Sequence, residues 1–148
     1  MYFAADTQKA YLNNQERQGM KVRNIVLDTQ SGLYARAIRR ILLQDLDDYQ
    51  VVISEAPDRT AECCRIFRPY ALLMEVTGNV PWMLKERLVI QKKVKKQTPE
   101  CKIVLLVDDV ADRGLAEQVK QAKKEGNIDG FIFSSVTESY LVSYLDSL

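Results

Sequence analysis

A continuous apolar run, Ala71-Leu72-Leu73-Met74, constrains this chain more than any other feature. It follows Pro69 and ends on a single carboxylate, Glu75, shortly before Gly78. Because the run does not alternate apolar and polar residues, it predicts a strand covered on both faces, as in the centre of a parallel sheet. Open α/β sheets keep their ligand crevices at the carboxyl ends of their strands, so Glu75 is predicted to lie at such a crevice.

Similar apolar runs alternate with helical patterns along the rest of the chain. Strands are predicted over residues 22–28, 50–54, 71–76, 103–107 and 130–133. Helices are predicted over residues 32–46, 58–67, 82–96, 112–124 and 137–146, with Asp58 and Thr137 as N-caps. The first helix has apolar residues at helical spacing, namely Leu33, Ala37, Ile38, Ile41 and Leu42. The regular alternation favours an α/β fold with a doubly wound, five-stranded parallel sheet and helices on both faces.

The first 20 residues differ from the remainder, because they are polar with scattered aromatic residues and end in a Gly-Met pair. We interpret residues 1–20 as an N-terminal extension, either helical or added in front of a start at Met20. Residues 21–148 are then one domain, long enough to bury a core without disulfides.

The composition excludes several classes of site. The chain has no histidine, which removes Ser-His-Asp triads, Cys-His dyads and imidazole metal sites. It also has no CxxC spacing, no P-loop and no GxGxxG motif. Structural zinc and the usual nucleotide-binding loops therefore lack support.

Charge and cysteine usage indicate a cytoplasmic protein. With 21 basic and 20 acidic residues, no overall field draws the chain toward nucleic acid or a membrane. Cys63, Cys64 and Cys101 form no disulfide pattern, and we expect them to be small packing residues. No apolar stretch approaches the roughly 20 residues that span a bilayer, so no membrane association is expected.

A basic segment, KERLVIQKKVKK at residues 85–96, combines six basic residues with one acid. On a helix it gives a basic face that could dock an acidic partner or a nucleic-acid backbone. Because no aromatic residue interleaves the lysines, a solvated face is the simpler interpretation, and direct nucleic-acid binding is not expected. Asp108 and Asp109 follow the fourth predicted strand, where a turn or N-cap role is commoner than a site role.

Five segments, taken in order, make residues 21–148 resemble the receiver domain of bacterial two-component response regulators, a CheY-like, flavodoxin-like domain. They are IVLD, AIRRILL, RPYALLME, KIVLLV and DGFIFSS. The resemblance implies a sheet of order 2-1-3-4-5, with Glu75 at the position of the phosphorylated aspartate and Phe131 at that of the switch aromatic. The remaining pocket positions that it implies are Asp28, Thr77, Val107, Asp108 and Ser134.

The departures from the receiver pattern fall on the residues of the phosphorylation chemistry. Asp28 is a single acid where receivers carry a pair, and Glu75 moves its carboxylate outward by roughly 1.5 Å relative to aspartate. Val107 replaces the Ser/Thr hydroxyl, Ser134 replaces the lysine, and Ser135 replaces the proline that usually follows a cis bond. A trans bond is expected before Ser135 because a cis bond costs about 2.5 to 4 kcal/mol without proline.

Two consequences follow for the predicted pocket. Asp28 and Glu75 together would make a sparse, weak magnesium site, so no cofactor is expected. Glu75 places one permanent charge where a phosphorylated aspartate carries nearly two. It therefore either imitates the phosphorylated state imperfectly or is a solvated acid in a degenerate pocket.

These features predict an atypical receiver-like signalling domain, not phosphorylated in the usual way and not an enzyme, that acts by protein-protein interaction. No output domain follows in this sequence, so the expected partner is bound in trans, unless the chain is a fragment of a longer regulator. The resemblance to receiver domains also implies a homodimer. Two other classes stay open: a flavodoxin-like small-ligand-binding domain, and an enzyme with a metal-assisted site at Asp28, Glu75 and Asp108 or Asp109. A receiver that retains weak metal or phosphoryl binding at Asp28 and Glu75 is a further alternative.

Overall fold

The computed structural model describes residues 22–45 and 49–148. They form a parallel five-stranded sheet of order β2-β1-β3-β4-β5. Both the strand order and the α/β class predicted from the sequence are confirmed. The predicted extension at residues 1–20 lies outside the described residues.

Strands and helices alternate along the whole described chain. The strands are β1 (Arg23–Asp28), β2 (Tyr49–Ile53), β3 (Ala71–Val76), β4 (Lys102–Val107) and β5 (Gly130–Phe133). The helices are α1 (Gly32–Asp45), α2 (Thr60–Phe67), α3 (Leu84–Gln97), α4 (Arg113–Lys124) and α5 (Glu138–Asp146). Most of these ends lie within one or two residues of the predicted ones, which is the usual uncertainty of such boundaries. No described helix is long and apolar enough to cross a membrane.

The apolar run that dominates the sequence forms the central strand, β3. Its neighbours are β1 on one side and β4 on the other. Alternate side chains of β3 enter the two cores: Leu72 and Met74 pack with α2, α3 and α4, whereas Leu73 packs with α1 and α5. Burial on both faces explains why the run has no polar position before Glu75.

Helix α1 buries part of the apolar set that the sequence places at helical spacing. Ala35, Ile38 and Leu42 are buried at helical spacing, whereas Leu33 is 72% exposed and Ala37 is also exposed. Of the five apolar residues at helical spacing, Ile38 and Leu42 thus lie in the core, whereas Leu33 and Ala37 do not. Because Ala35, Ile38 and Leu42 are spaced i, i+3 and i+7, they lie on one side of the helix, and this side packs against the sheet.

The start of α2 also differs from the prediction. Pro57–Arg59 form a 3-10 turn, and the α-helix begins at Thr60, so Asp58 lies inside the turn instead of capping the helix. Proline at the first position of the turn suits its fixed φ angle. This later start places Thr60, whose side chain is completely buried, at the carboxyl end of the sheet.

Candidate functional site

The carboxyl edge of the sheet gathers most of the residues singled out in the sequence. Asp28 ends β1, Glu75 is the next-to-last residue of β3, Val107 ends β4, and Ser134 directly follows β5. Asp28 lies opposite Met74 in the register, and Val107 lies opposite Phe133. Glu75 is half-buried near the carboxyl end of the central strand, and its place in a ligand crevice stays a prediction.

Asp28 is not open to solvent but is bound by an internal arginine. The Arg87 guanidinium donates from one terminal nitrogen to Asp28 Oδ2 at 2.6 Å. Its other terminal nitrogen donates to Asp28 Oδ1 and to the Asp28 carbonyl, both at 3.2 Å. The Arg87 and Asp28 side chains are 0% and 1% exposed. A fork that binds both carboxylate oxygens is the strong geometry for arginine and carboxylate.

Three further contacts complete this buried polar cluster, which we call the Arg87 cluster: Asp28, Ser54, Thr60 and Arg87. The Thr60 hydroxyl donates to Asp28 Oδ2 at 2.6 Å and lies 2.8 Å from the Ser54 hydroxyl. Arg87 Nε donates to the carbonyl of Glu75 at 2.7 Å. The cluster joins β1, β3, α2 and α3, and both carboxylate oxygens of Asp28 have donors within the protein.

The Glu75 carboxylate belongs to the other side of the sheet. Side chains alternate along a strand, so Asp28 follows the face of Val26, whereas Glu75 follows the face of Leu73. Consistent with this, Glu75 Oε1 accepts a hydrogen bond from the backbone N–H of Gln30 at 2.8 Å. The Glu75 side chain therefore binds the loop between β1 and α1. The contact of Glu75 with Arg87 is made through the Glu75 backbone carbonyl.

Tyr34, on the first turn of α1, lies near Ser134, Glu75 and Asp108. Burial raises the pKa of the Tyr34 phenol, a side-chain hydrogen bond with Ser134 lowers it, and the charges of Glu75 and Asp108 raise it, so that the net shift is upward. Ser134 in turn donates from Oγ to the Val107 carbonyl at 3.2 Å. The position at which receivers place a lysine thus holds a hydroxyl that is bonded to the fold's own groups.

Asp108 and Thr77, two further predicted pocket residues, accept hydrogen bonds from backbone N–H groups of their own loops. Asp108 Oδ1 accepts from the N–H groups of Val110 and Ala111 at 3.1 and 2.9 Å, which is the turn role considered in the sequence. The Thr77 hydroxyl accepts from the Asn79 N–H at 3.0 Å. Among the described residues the cis peptide bond is Val80–Pro81, so the bond before Ser135 is trans, as predicted.

Phe131, at the position of the switch aromatic, is half-buried on the edge strand β5. Its ring lies 5.4 Å from that of Phe133 in a tilted arrangement, and Lys123 Nζ lies 6.0 Å from its centroid. These contacts fit ordinary aromatic packing at a sheet edge.

The residues present do not fit the magnesium ion that the resemblance implies. A divalent cation needs free carboxylate oxygens, but both oxygens of Asp28 accept from Arg87, and a second cation beside that guanidinium would be repelled. Glu75 lies on the opposite face, and no cluster of three potential metal-binding side chains occurs among the residues the structure describes.

Sequence reasoning missed Arg87, Thr60 and Tyr34. Arg87 was assigned to the solvated basic face of α3, which is wrong, because its side chain is fully buried. Its spacing from Ile90 and Val94, the two buried apolar residues of α3, was a signal that it shares their stripe. Thr60 stands similarly on the buried stripe of Cys63, Cys64 and Phe67.

The cysteines are packing residues, as expected. Cys63, Cys64 and Cys101 are free and completely buried. Burial is the main cause that raises the pKa of Cys63 to about 12 and that of Cys101 to about 12. These thiols are therefore protonated and not nucleophilic near neutral pH.

Comparison with solved structures identifies this architecture as a receiver-domain fold. A DNA-binding response regulator of the LuxR family from Staphylococcus aureus superposes with a TM-score of 0.68 at 10% identity, over 85% of this chain and 98% of that one. A CheY-like response regulator receiver domain protein from Methanospirillum hungatei JF-1 gives 0.67 at 16% identity, over 85% and 92%.

The same fold also occurs in a chain described as adenylate cyclase from Rhodopirellula baltica, with a TM-score of 0.66 at 16% identity over 85% of this chain and 86% of that one. No protein-family model matches the sequence, and no curated protein matches it. At such identities the likeness establishes the fold, and the function must be argued from the site.

Proposed function

We propose that this chain is a receiver-like signalling module that works without the usual phosphorylation cycle and acts by binding a protein partner in trans. The receiver fold supports the signalling class. The proposal includes a cytoplasmic location and no enzymatic activity of its own. A homodimer follows only from family habit.

The observation that carries the proposal is the Arg87 cluster. In a receiver the acid at the end of β1 helps to hold a metal ion that neutralises the transferred phosphoryl group. Here the corresponding Asp28 is neutralised by the Arg87 guanidinium at 2.6 Å inside the protein, and the Thr60 hydroxyl donates a further hydrogen bond to its carboxylate. An internal cation thus stands in for the exchangeable one, and its charge does not depend on metal or phosphoryl supply.

The residues at the other positions of the phosphoryl-transfer site also support a module that works without phosphorylation. Phosphoryl transfer depends on positioned positive charge and hydrogen-bond donors around the developing negative charge. The lysine position holds Ser134, which bonds to the Val107 carbonyl, and Val107 itself has no hydroxyl. Glu75 already accepts a hydrogen bond from Gln30, so its permanent charge stabilises a loop instead of awaiting modification.

The test is to expose the ¹⁵N-labelled chain to beryllofluoride with Mg²⁺ and to record ¹H-¹⁵N spectra across the titration. Acetyl phosphate with Mg²⁺, followed by intact mass, gives a covalent readout. We expect no adduct and no shifts at Asp28, Glu75 or Phe131. A receiver domain that retains the acceptor aspartate and the lysine serves as the positive control, and the Glu75→Gln variant shows whether any response depends on the carboxylate.

A stable adduct, or shifts centred on Glu75 that disappear in Glu75→Gln, would refute the proposal. Such a result would mean that Arg87 releases Asp28 when a phosphoryl group arrives. The domain would then be a phosphate-controlled switch with an unusual resting state.

A further inference from the structure

We infer that the groove between α3 and α4 binds an acidic peptide segment of a partner protein, with one apolar side chain of that segment inserted between the helices. The inference rests on the proposed function, because it names the surface and the chemistry of the partner that such a module would bind. We call this surface the α3–α4 groove; its apolar floor consists of Met83, Leu84, Leu88 and Leu115.

The shape of the groove suits a side chain of a partner. Its volume is about 490 Å³, within the range of roughly 300 to 1,000 Å³ that is common for ligand pockets. The loop after β3 closes one end through Thr77 and Gly78. Lys85 stands on one rim and Gln118 on the other. An apolar floor with polar rims is the arrangement that binds an apolar anchor and excludes water around it.

Lys85 lines the groove, and further unpaired lysines lie on the exposed side of α3 beyond it. Among the described residues, the exposed Lys85, Lys92, Lys93 and Lys96 of α3 take part in no ion pair, whereas Lys95 pairs with Asp129 at 2.9 Å. Lys85, Lys92 and Lys96 follow one line along the helix, over about 16 Å at 1.5 Å per residue. The chain as a whole is nearly neutral, so this row of lysines is a local feature and not part of a general basic surface.

One acid, Asp112, lines the groove, and its negative charge is turned toward the N-terminus of α4. Asp112 lies on the α4 rim, but its Oδ1 already accepts from the Leu115 N–H at 2.9 Å as the N-cap of α4. The N-terminus of α3 opens into the groove without a side-chain cap at Met83. Its unpaired N–H groups add to the attraction of Lys85 for a carboxylate.

The apolar component favours a peptide over a nucleic acid. Single-stranded nucleic acids are bound by cations at their phosphates and by aromatic side chains stacked on their bases, and none of the described residues that line the groove is aromatic. The groove offers instead a floor that includes Leu84, Leu88 and Leu115. An acidic segment with a leucine or phenylalanine among its carboxylates satisfies both the floor and the lysines.

The Arg87 cluster fixes one wall of this groove. Arg87 lies in the first turn of α3, and its bonds to Asp28 and to the Glu75 carbonyl tie that turn to β1 and β3. The groove is therefore preformed, and a bound segment does not have to order it, which favours affinity.

The experiment measures fluorescence anisotropy of a labelled 13-residue peptide, with glutamates on both sides of a central leucine, titrated with the full chain. We expect saturable binding that weakens at least about 10-fold in the double variant Lys85→Glu/Lys92→Glu, since like charges then face the peptide. The matched control Lys123→Glu/Lys124→Glu makes the same change in net charge on α4 and should leave the Kd within about twofold. Leu115→Gln and a peptide with serine in place of the leucine should each weaken binding several-fold.

Absence of binding, or equal loss in the two charge variants, would overturn the inference. A 13-nucleotide single strand that binds more tightly than the peptide and responds to Lys85→Glu/Lys92→Glu would assign the lysines to nucleic acid. Dimerisation of the chain that the same variant abolishes would assign the groove to a second copy. Each of these results can coexist with a silent beryllofluoride titration, so failure of this inference is distinguishable from failure of the proposed function.

Discussion

At the scale of single residues, Arg87 is the largest side chain that the described fold buries completely. Burying two charges is costly, and their attraction compensates only when the geometry is good and the remaining lone pairs have donors. The Arg87 cluster fits that condition, because Thr60 donates a further hydrogen bond to Asp28 and the Glu75 carbonyl accepts one from Arg87. The pair is therefore expected to fix the position of α3 more than to add net stability.

Removal of Arg87 alone should be strongly destabilising. Arg87→Met leaves Asp28 buried without a counter-charge, and the expected loss is about 3 to 5 kcal/mol of the free energy of unfolding. The double variant Asp28→Asn/Arg87→Met removes both charges and should recover most of this loss. Urea denaturation followed by circular dichroism measures each value. Lys96→Met, which changes an exposed lysine of the same helix, is the matched control and should stay within about 0.5 kcal/mol.

If Arg87→Met cost no more than Lys96→Met, the guanidinium would not be paired in solution as it is here. If the double variant were as unstable as the single one, packing of the arginine stem, and not its charge, would be the dominant contribution.

The cysteines provide a second test at the residue scale. Because burial raises the pKa of Cys63 and Cys101 to about 12 and raises that of Cys64 as well, almost no thiolate is present at pH 8. We expect the native chain to react negligibly with a thiol reagent such as DTNB, and all three cysteines to react after unfolding in guanidinium chloride. Rapid labelling of one native cysteine would show that α2 or the start of β4 opens locally.

At the scale of elements, the two faces of α3 have different roles. Its inner stripe of Arg87, Ile90 and Val94 packs on the sheet and binds Asp28. Its outer face carries the unpaired lysines. The spacing of Arg87 from Ile90 and Val94 was a local signal of this division, but Asp28 and Arg87 are 59 residues apart and no local pattern reports their contact.

The C-terminal end of α3 is tied to β4 and β5 through Asp129. Burial raises the pKa of Asp129, but the hydrogen bonds from Lys95 and from the Ile103 N–H, together with the charges of Lys95 and Lys102, outweigh it and lower the pKa overall. A carboxyl group whose pKa is lowered on folding stabilises the fold above its unfolded pKa and loses that contribution as the pH falls through the folded value.

Stability should therefore decrease between about pH 4 and lower values, and Lys95→Met should weaken this dependence. The effect is small, less than about 1 kcal/mol, because the pair is partly exposed. Urea midpoints of both proteins from pH 7 to pH 3 measure it, with Lys96→Met as the control that should retain the wild-type slope. A Lys95→Met profile parallel to that of the wild type would contradict the assigned role of the pair.

At the scale of the whole molecule, the fold was readable from the sequence because its main determinants are local periodicities. Unbroken apolar runs predicted the buried strands, and the regular alternation predicted the parallel sheet. The side of α1 that faces the sheet was partly readable: Ile38 and Leu42 are buried, but Leu33 is equally apolar and is exposed, and only packing decides between them. The candidate site was half readable: Asp28, Glu75 and Ser134 were placed at the correct edge, but their partners Arg87, Gln30 and Tyr34 come from elsewhere in the chain.

The two cores on either side of the sheet share β1, β3 and β4, so these strands should be the last to open. Leu72 and Leu73 of β3 are fully buried in opposite cores, and β3 has a hydrogen-bonded neighbour on each side. Their amides should exchange only through global unfolding, whereas the amides of the edge strands β2 and β5 should also exchange through smaller openings. Native-state hydrogen exchange by NMR in increasing urea distinguishes these modes, since only global opening shows the full urea dependence. Exchange of Leu72 or Leu73 with weak urea dependence would mean that one face of helices detaches while the other stays folded, and that the two cores are not one cooperative unit.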